Sequence, residues 1–413
     1  VEAEGSRPER AILVGLENSE PYDTLAELGE LARTAGANVV GRFTQKKAGA
    51  DNATYIGSGK AEELSLKGSE LEADLFIFDD ELTAVQSRNL EEILGARVID
   101  RTALILDIFA QRATSREGKL QVELAQQKYR LPRLLGQGTV LSRLGGGIGT
   151  RGPGEKKLEI DRRRIKRRIF ELSEELGEIE KQRSLRRARR EKNSTPIVAL
   201  VGYTNAGKST LLNALTDASV LAEDMLFATL DPVVRQAELP NGTEVLISDT
   251  VGFINKLPHD LVEAFRSTLE EAANADIILH VVDRSSPYYE SQMAVVEDVL
   301  SKLGALDIPR INVYNKCDLT GERTPNDGVF ISAAKGTGID RLLEQIERRI
   351  NSGRLEVDVV VPYDKYEAMN VIRAEGRILK EDHQGDGAHL KIQINETALW
   401  KLKRMLGEGY GQN

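Results

Sequence analysis

The sequence predicts an α/β protein, on three observations. The apolar run Ile197-Val-Ala-Leu-Val201 leads into Gly202-Tyr-Thr-Asn-Ala-Gly207-Lys208-Ser209 and then the helix-forming Thr210-Leu-Leu-Asn-Ala-Leu215. Three more apolar runs each end on a polar motif: Glu244-Val-Leu-Ile-Ser248 on Asp249-Thr-Val-Gly252, Ile311-Asn-Val-Tyr314 on Asn315-Lys-Cys-Asp318, and Val329-Phe-Ile331 on Ser332-Ala-Ala334. Upstream, short apolar runs alternate with helical patterns between residues 10 and 100, the rhythm of a parallel sheet.

Strand, GxxxxGKS and helix together are the context of a phosphate-binding P-loop. Its glycines let backbone N–H groups turn inward, and the helix N-terminus adds positive partial charge. Gly202, Tyr203, Thr204, Asn205, Ala206, Gly207, Lys208, Ser209 and Thr210 are therefore candidate nucleotide contacts. Lys208 would reach the β- and γ-phosphates, and the Ser209 hydroxyl would ligate Mg²⁺. Asp249 stands where a Walker B aspartate belongs, meeting the Mg²⁺ through water, with the Gly252 N–H facing a γ-phosphate. Phe227-Ala-Thr229 lies in the usual place of switch I, and Thr229 could complete the Mg²⁺ shell while γ-phosphate is bound. The catalytic candidates are Lys208, Thr229, Asp249 and Gly252. Asn315, Lys316, Asp318, Ser332, Ala333 and Ala334 form the base site. There Asp318 can accept two N–H bonds from guanine, whereas adenine would leave it unpaired at a cost of several kcal/mol. The order of the motifs predicts a GTP-binding domain.

The 413 residues carry a net charge of −9, but unevenly. Residues 130–192 hold 19 Lys+Arg and 9 Asp+Glu, a balance of +10; the remainder holds 56 − 19 = 37 against 65 − 9 = 56, or −19. One basic segment on an acidic chain concentrates attraction for polyanions in one place. A single cysteine, Cys317, excludes an internal disulfide and fits a reducing cytoplasm. No apolar run is long enough to span a membrane, and the acidic start Val1-Glu-Ala-Glu is unlike a signal peptide.

Four parts are expected in order. Residues 1–100 read as a small α/β domain with strands near 11–15, 38–43, 75–78 and 97–99, and helices near 23–35, 60–72 and 83–94. Its Tyr55-Ile-Gly-Ser-Gly59-Lys60 lacks the second half of a P-loop and reads as a turn opening a helix. Residues 101–194 read as an antiparallel helical hairpin, one helix over 103–135 and a second from 154 to 192 with the stripe Leu158, Ile165, Ile169, Leu172, Leu176, Ile179. Its connection, 136–154, has eight glycines in nineteen residues, against two to eight residues usual between antiparallel helices. Glycines admit phosphates to the backbone and arginines bind them bidentately, so RNA contact is favoured over an inert linker. The RNA-binding candidates are Arg143, Arg151, Lys156, Lys157, Arg162, Arg163, Arg164, Lys166, Arg167 and Arg168. The P-loop GTPase domain spans 195–352, and a small α+β domain, 353–413, shows no chemistry.

Gly146-Gly-Ile-Gly-Thr-Arg-Gly-Pro-Gly154-Glu, together with the Tyr55–Lys60 run and the P-loop, resembles the HflX GTPases from about residue 10 to 352, and the tail looks like that family's C-terminal domain. The resemblance implies a cytoplasmic GTPase that binds the large ribosomal subunit and its rRNA. It further implies that the hairpin approaches the peptidyl-transferase region, and that the GTP form splits stalled or idle ribosomes. Two positions depart from the family pattern. Gly154-Glu-Lys156-Lys157 replaces the usual Gly-Glu-Thr-Lys, and Asp231-Pro-Val-Val234 replaces Asp-Pro-Thr-Thr.

Many GTPases place a glutamine directly after the DxxG glycine to orient the attacking water. Phe253 stands here, and it can neither donate nor accept, so unaided hydrolysis is expected to be slow. Asn205 resembles the P-loop asparagine with which potassium-activated GTPases hold K⁺, and it equally suits a turn. The chain is expected to act as a monomer. The competing readings are a ribosome-assembly or tRNA-modification GTPase, and an RNA-binding scaffold stabilised by nucleotide.

Overall fold

The computed structural model describes residues 7–17, 22–47, 49–143, 153–191, 195–216, 225–258, 261, 265, 271–320, 328–351, 354–365 and 367–406. Strands β1 (Arg10–Glu17), β2 (Asn38–Lys46), β3 (Leu75–Phe78) and β4 (Arg97–Asp100) form a parallel sheet in the order β2-β1-β3-β4. The middles of its central strands, Ala11–Leu16 and Leu75–Phe78, carry no polar side chain because both faces are covered. Ala11, Leu13, Leu75 and Ile77 pack with helices α1 (Thr24–Thr34) and α4 (Arg101–Arg112). Ile12, Val14, Phe76 and Phe78 pack with α2 (Ser58–Glu70) and α3 (Ala84–Leu94). Gly57 caps α2, so the Tyr55–Lys60 run is a turn into a helix.

The helical stretch expected over 103–135 is two helices. After α4 the chain turns extended at Ala113, and Ser115 starts α5 (Arg116–Arg143) by accepting the Gly118 N–H on its hydroxyl at 2.9 Å. Helix α6 (Pro153–Glu191) returns antiparallel to α5, since partners run in opposite senses: Glu117 with Arg183 at 3.1 Å, Glu123 with Arg168 at 2.7 Å. Leu120, Leu124 and Leu172 are buried between them, with Ile169, Leu176 and Ile179 alongside. The nineteen-residue connection is not all loop. Helix α5 runs on through Gly136 and Gly138 to Arg143, and α6 begins at Pro153. A glycine costs a helix about 1 kcal/mol but does not end it, and proline is at home in a first turn. Residues 144–152, with Arg151, lie outside the described residues.

The second sheet has the order β10-β9-β8-β5-β7-β6. Its strands are β5 (Ile197–Gly202), β6 (Val233–Glu238), β7 (Glu244–Asp249), β8 (Ile277–Asp283), β9 (Arg310–Asn315) and β10 (Gly328–Phe330). All neighbours are parallel except the β6–β7 hairpin. Helix α7 (Lys208–Leu215) follows β5; α8 (Tyr289–Lys302) and α9 (Ile339–Asn351) come later. The chain leaves β5 toward β7 on one side and β8 on the other, which puts the switch point of the sheet at the carboxyl end of β5. A third, antiparallel sheet, β11 (Arg354–Val361), β13 (Gly387–Asn395) and β12 (Gly376–Gln384), carries α10 (Glu367–Glu375) and α11 (Glu396–Leu406) on its core.

The first two sheets share one apolar core, reaching from Ala11 and Leu28 to Val201, Phe253 and Ile278. A buried ionic cluster crosses the same seam. The Arg101 guanidinium meets Asp79 at 2.8 Å and Glu27 at 3.1 Å, and donates to the Asn255 carbonyl at 3.1 Å. Lys256 Nζ reaches Asp79 at 2.7 Å and Asp80 at 2.6 Å. Burial alone would raise the Asp79 carboxyl, but the Arg101 and Lys256 charges outweigh it and hold it below its usual 3.8. Arg101→Ala strands two carboxylates and should cost about 3–5 kcal/mol in thermal or urea unfolding. A group depressed in the folded state stabilises above its unfolded value and loses that contribution as pH falls through the folded one. The wild type should therefore lose stability below about pH 4 more steeply than Arg101→Ala. Parallel acid-unfolding curves would contradict this.

Candidate nucleotide-binding site

Every expected motif lies at the carboxyl edge of the second sheet. Gly202 ends β5, Asp249 ends β7, Asn315 ends β9, and Ser332 follows β10. The phosphate loop turns through two left-handed residues, Asn205 at φ +60° and Gly207 at φ +89°. A Cβ on Gly207 would stand 2.3 Å from Asn315 Nδ2, so only glycine fits. The left-handed position of Asn205 gives its turn role a physical basis. Thr204, Asn205, Gly207, Lys208, Ser209 and Thr210 line a cavity closed on its far side by Phe227, Thr229 and Gly252.

Within it three oxygens converge. Ser209 Oγ is 2.8 Å from Thr229 Oγ1 and donates to Asp249 Oδ2 at 2.7 Å; Thr229 Oγ1 donates to the same oxygen at 3.1 Å. Asp249 is fully buried, and its other oxygen, Oδ1, has no partner among the described residues. Two hydroxyls and one buried, half-satisfied carboxylate are hard oxygen donors, the set that Mg²⁺ takes alongside phosphate and water. The residues present fit that ion. Among the described residues no cluster of His, Cys, Asp and Glu offers another metal site.

Lys208 is buried, donating to the carbonyls of Gly202 at 3.2 Å and Tyr203 at 3.1 Å. Burial pushes its ammonium down to about 8, with Asp249 opposing. Asn315 ties the phosphate loop to the base side: its Nδ2 donates to the Ala206 carbonyl at 2.9 Å, and its Oδ1 accepts the Ala333 N–H at 3.0 Å. A hydrogen bond from Ser332 and the charge of Lys335, 3.3 Å away, hold the Asp318 carboxyl below its usual value. An ionised Asp318 is purely an acceptor. Lys316, at φ +61°, bonds Asp283 at 2.8 Å.

Phe253 is buried in the shared core, and its backbone is fixed by Phe253 N to Gly202 O at 3.1 Å and Thr204 N to Phe253 O at 2.7 Å. No water-orienting side chain projects from this position. The Tyr203 phenol spans the seam, donating to Glu27 at 2.9 Å and accepting the Asn255 N–H at 2.7 Å. Motif reading missed Glu27, Arg101 and Lys256. The nearest sequence signal was the charge of Arg101 just ahead of the apolar run Ala103-Leu-Ile-Leu106.

Of the proposed RNA-binding residues, Arg162, Arg163, Arg164, Lys166 and Arg167 are exposed on α6, while Arg143, Lys156 and Lys157 fall on helical backbone. Arg168 is partly buried beside Ile169 and is held by Glu123 through two hydrogen bonds, at 2.7 and 2.8 Å.

The phosphate loop, the buried Asp249 with its two hydroxyls and the Asn315–Asp318 base site, on a sheet with one antiparallel edge strand, define a P-loop GTPase. Family models match along the chain: a GTP-binding GTPase N-terminal region over 22–110, a middle region over 112–190, a 50S ribosome-binding GTPase over 197–316, and an HflX C-terminal domain over 321–413. The chain is 57% identical over 402 residues to a GTPase HflX of Caldanaerobacter subterraneus subsp. tengcongensis, covering 96% of this chain and 94% of that protein. It is 42% identical over 354 residues to the GTPase HflX of Escherichia coli, 83% of each. Among solved structures it is similar to the SsGBP–GDP complex, at 25% identity and a TM-score of 0.48, covering 82% of this chain and 98% of that one. The chain belongs to the HflX family of GTPases.

A triphosphate beside Lys208 favours its charged form, so nucleotide binding should take up a proton, about half of one at pH 8. Calorimetry in buffers of different ionisation enthalpy should show this uptake at pH 8 and its disappearance by pH 6.5. Buffer-independent heats at pH 8 would contradict the buried lysine.

Proposed function

We propose that this GTPase binds GTP through the residues above, associates with the large ribosomal subunit through its basic hairpin, and uses the GTP-bound form to separate ribosomes. The observation that carries the ribosomal part is the concentration of positive charge on one helical arm of an acidic chain, in a chain whose nucleotide domain matches a model described as a 50S ribosome-binding GTPase. Phosphate oxygens would lie under the loop amides and Lys208, and the metal oxygens would come from Ser209, Thr229 and, through water, Asp249. A Mg²⁺ ion held by these oxygens would supply positive charge that offsets the negative charge developing in phosphoryl transfer. The Gly252 N–H would meet the γ-phosphate, and Asp318 would accept the guanine N–H pair. Rapid hydrolysis calls for a partner, because Phe253 faces the core. Work on ribosomes supports a cytoplasmic site of action. If Asn205 holds K⁺, exchanging K⁺ for Na⁺ should slow hydrolysis; equal rates would leave it a turn residue.

Asp318→Asn should weaken GTP binding by about a hundredfold or more and restore affinity with xanthosine triphosphate. Unchanged nucleotide preference would remove Asp318 from the base site. For the ribosomal part, Arg163→Glu with Arg167→Glu should leave GTP binding intact and weaken sedimentation with large subunits, with a flatter salt dependence. Replacing 144–152 by a tight turn should abolish splitting more completely than binding. Wild-type splitting by that shortened protein would mean that the connection only joins the helices, and hydrolysis above about 1 s⁻¹ without ribosomes would contradict the role of Phe253.

A further inference from the structure

Thr229 sits between two anchors that belong to neither the phosphate loop nor the nucleotide. Two residues before it, the buried Phe227 ring, on a left-handed backbone at φ +55°, stands edge-on to Phe109 of α4 with 4.7 Å between ring centres. Two residues after it, the Asp231 carboxylate receives four hydrogen bonds from the joint between α4 and α5. The donors are Thr114 N at 2.9 Å, Thr114 Oγ1 at 2.6 Å, Ser115 N at 2.8 Å and the Ser115 hydroxyl. Ser115 is also the cap that starts α5, so Asp231 lies where a helix N-terminus favours an anion. The fit is close. A Cβ on Gly118, in the first turn of α5, would stand 2.4 Å from Asp231 Oδ1. Burial acts to raise the Asp231 carboxyl, but the Ser115 and Thr114 hydrogen bonds outweigh it and keep it ionised.

We infer that Asp231 is a positioning residue: it fastens the chain after Thr229 to the root of the α5–α6 hairpin, so that Thr229 already stands against Ser209 and Asp249 before the triphosphate arrives. This rests on the reading of Thr229 as a Mg²⁺ ligand of the GTP-bound form. Fixing a loose segment costs conformational entropy, and an anchor in place removes that cost from binding. Switch I is engaged through the γ-phosphate and its metal, so the gain goes to GTP and not to GDP. Linkage makes the coupling reciprocal: a change at the hairpin root must alter GTP affinity, and bound GTP must steady the root.

The test is equilibrium binding of fluorescent GDP and of a non-hydrolysable GTP analogue to the full chain, without ribosomes, at several Mg²⁺ concentrations. Asp231→Asn removes the charge and sets an amide N–H opposite the Ser115 hydroxyl while one oxygen can still face the Thr114 and Ser115 N–H groups, Ser115→Ala removes a hydroxyl donor, and Gly118→Ala crowds the carboxylate from the hairpin side while favouring the helix. Each should weaken the analogue about fivefold or more, raise its Mg²⁺ requirement and leave GDP within about twofold. The Asp231→Asn, Ser115→Ala double variant should lose no more than the larger single loss. Parallel weakening of GDP and analogue, unchanged binding of both, or additive losses would each overturn the inference. Thr229→Ala separates the two levels. If it weakens the analogue selectively while Asp231→Asn and Gly118→Ala are silent, the anchor alone is wrong; if it is itself silent, the Thr229 reading falls and the anchor with it.

Discussion

A guanidinium with no access to water must be surrounded by acceptors, and Arg101 finds its acceptors on both sides of a domain seam. Glu27 and Asp79 come from the first sheet and its helix, and the Asn255 carbonyl comes from the segment after Asp249-Thr-Val-Gly252. Separating the sheets would leave Arg101 with Glu27 and Asp79 but break its bond to the Asn255 carbonyl and the links through Lys256 and Tyr203, so the cluster fixes how the two sheets meet. Lys256, on a left-handed backbone at φ +53°, is held in the same cluster, and Tyr203 of the phosphate loop completes it through Glu27. The segment after Asp249 therefore takes its shape partly from a neighbouring domain that, among the described residues, adds none to the lining of the cavity.

The two switch segments lean on the same neighbour by different chemistry. The one after Gly252 is held by buried charge, whereas the one around Thr229 is held by a ring–ring contact and a carboxylate at a helix start. Helix α4 carries Arg101 at its beginning and Phe109 in its last turns, and the joint that follows carries Thr114 and Ser115. A single helix thus meets both switches and then becomes the root of the basic hairpin. The arm proposed to bind polyanions thus starts at the joint that holds the segment around Thr229.

What the sequence revealed follows the range of each interaction. The phosphate loop, the Asp249 strand end and the Asn315–Asp318 motif are local, since each needs a strand, a turn and a few residues in fixed order. Their placement along one sheet edge matches that reading. The glycine-rich composition of 136–154 does not mark where α5 ends, because a helix tolerates Gly136 and Gly138 wherever no left-handed turn is demanded. Arg168 meets Glu123 across 45 residues, a pairing that sets it apart from its basic neighbours. Asp231 meets its partners across 116 and 117 residues, and Arg101 meets Asn255 across 154. Nothing in the local pattern of either end announces such a contact. Phe253 was legible as a missing glutamine, but the reason for an apolar residue there, a place in the core shared by two sheets, was visible only in the fold.

The central claim is that the nucleotide site and the hairpin root respond as one unit. Hydrogen exchange at the Thr114 and Ser115 amides measures it most directly, since both donate to Asp231 at 2.9 and 2.8 Å. Exchange should be followed in the full chain without ribosomes, with GDP and then with a non-hydrolysable GTP analogue and Mg²⁺. The account predicts markedly slower exchange at these two amides with the analogue than with GDP. Equal exchange in the two states, with both nucleotides bound, would show that the root of the hairpin does not sense the nucleotide.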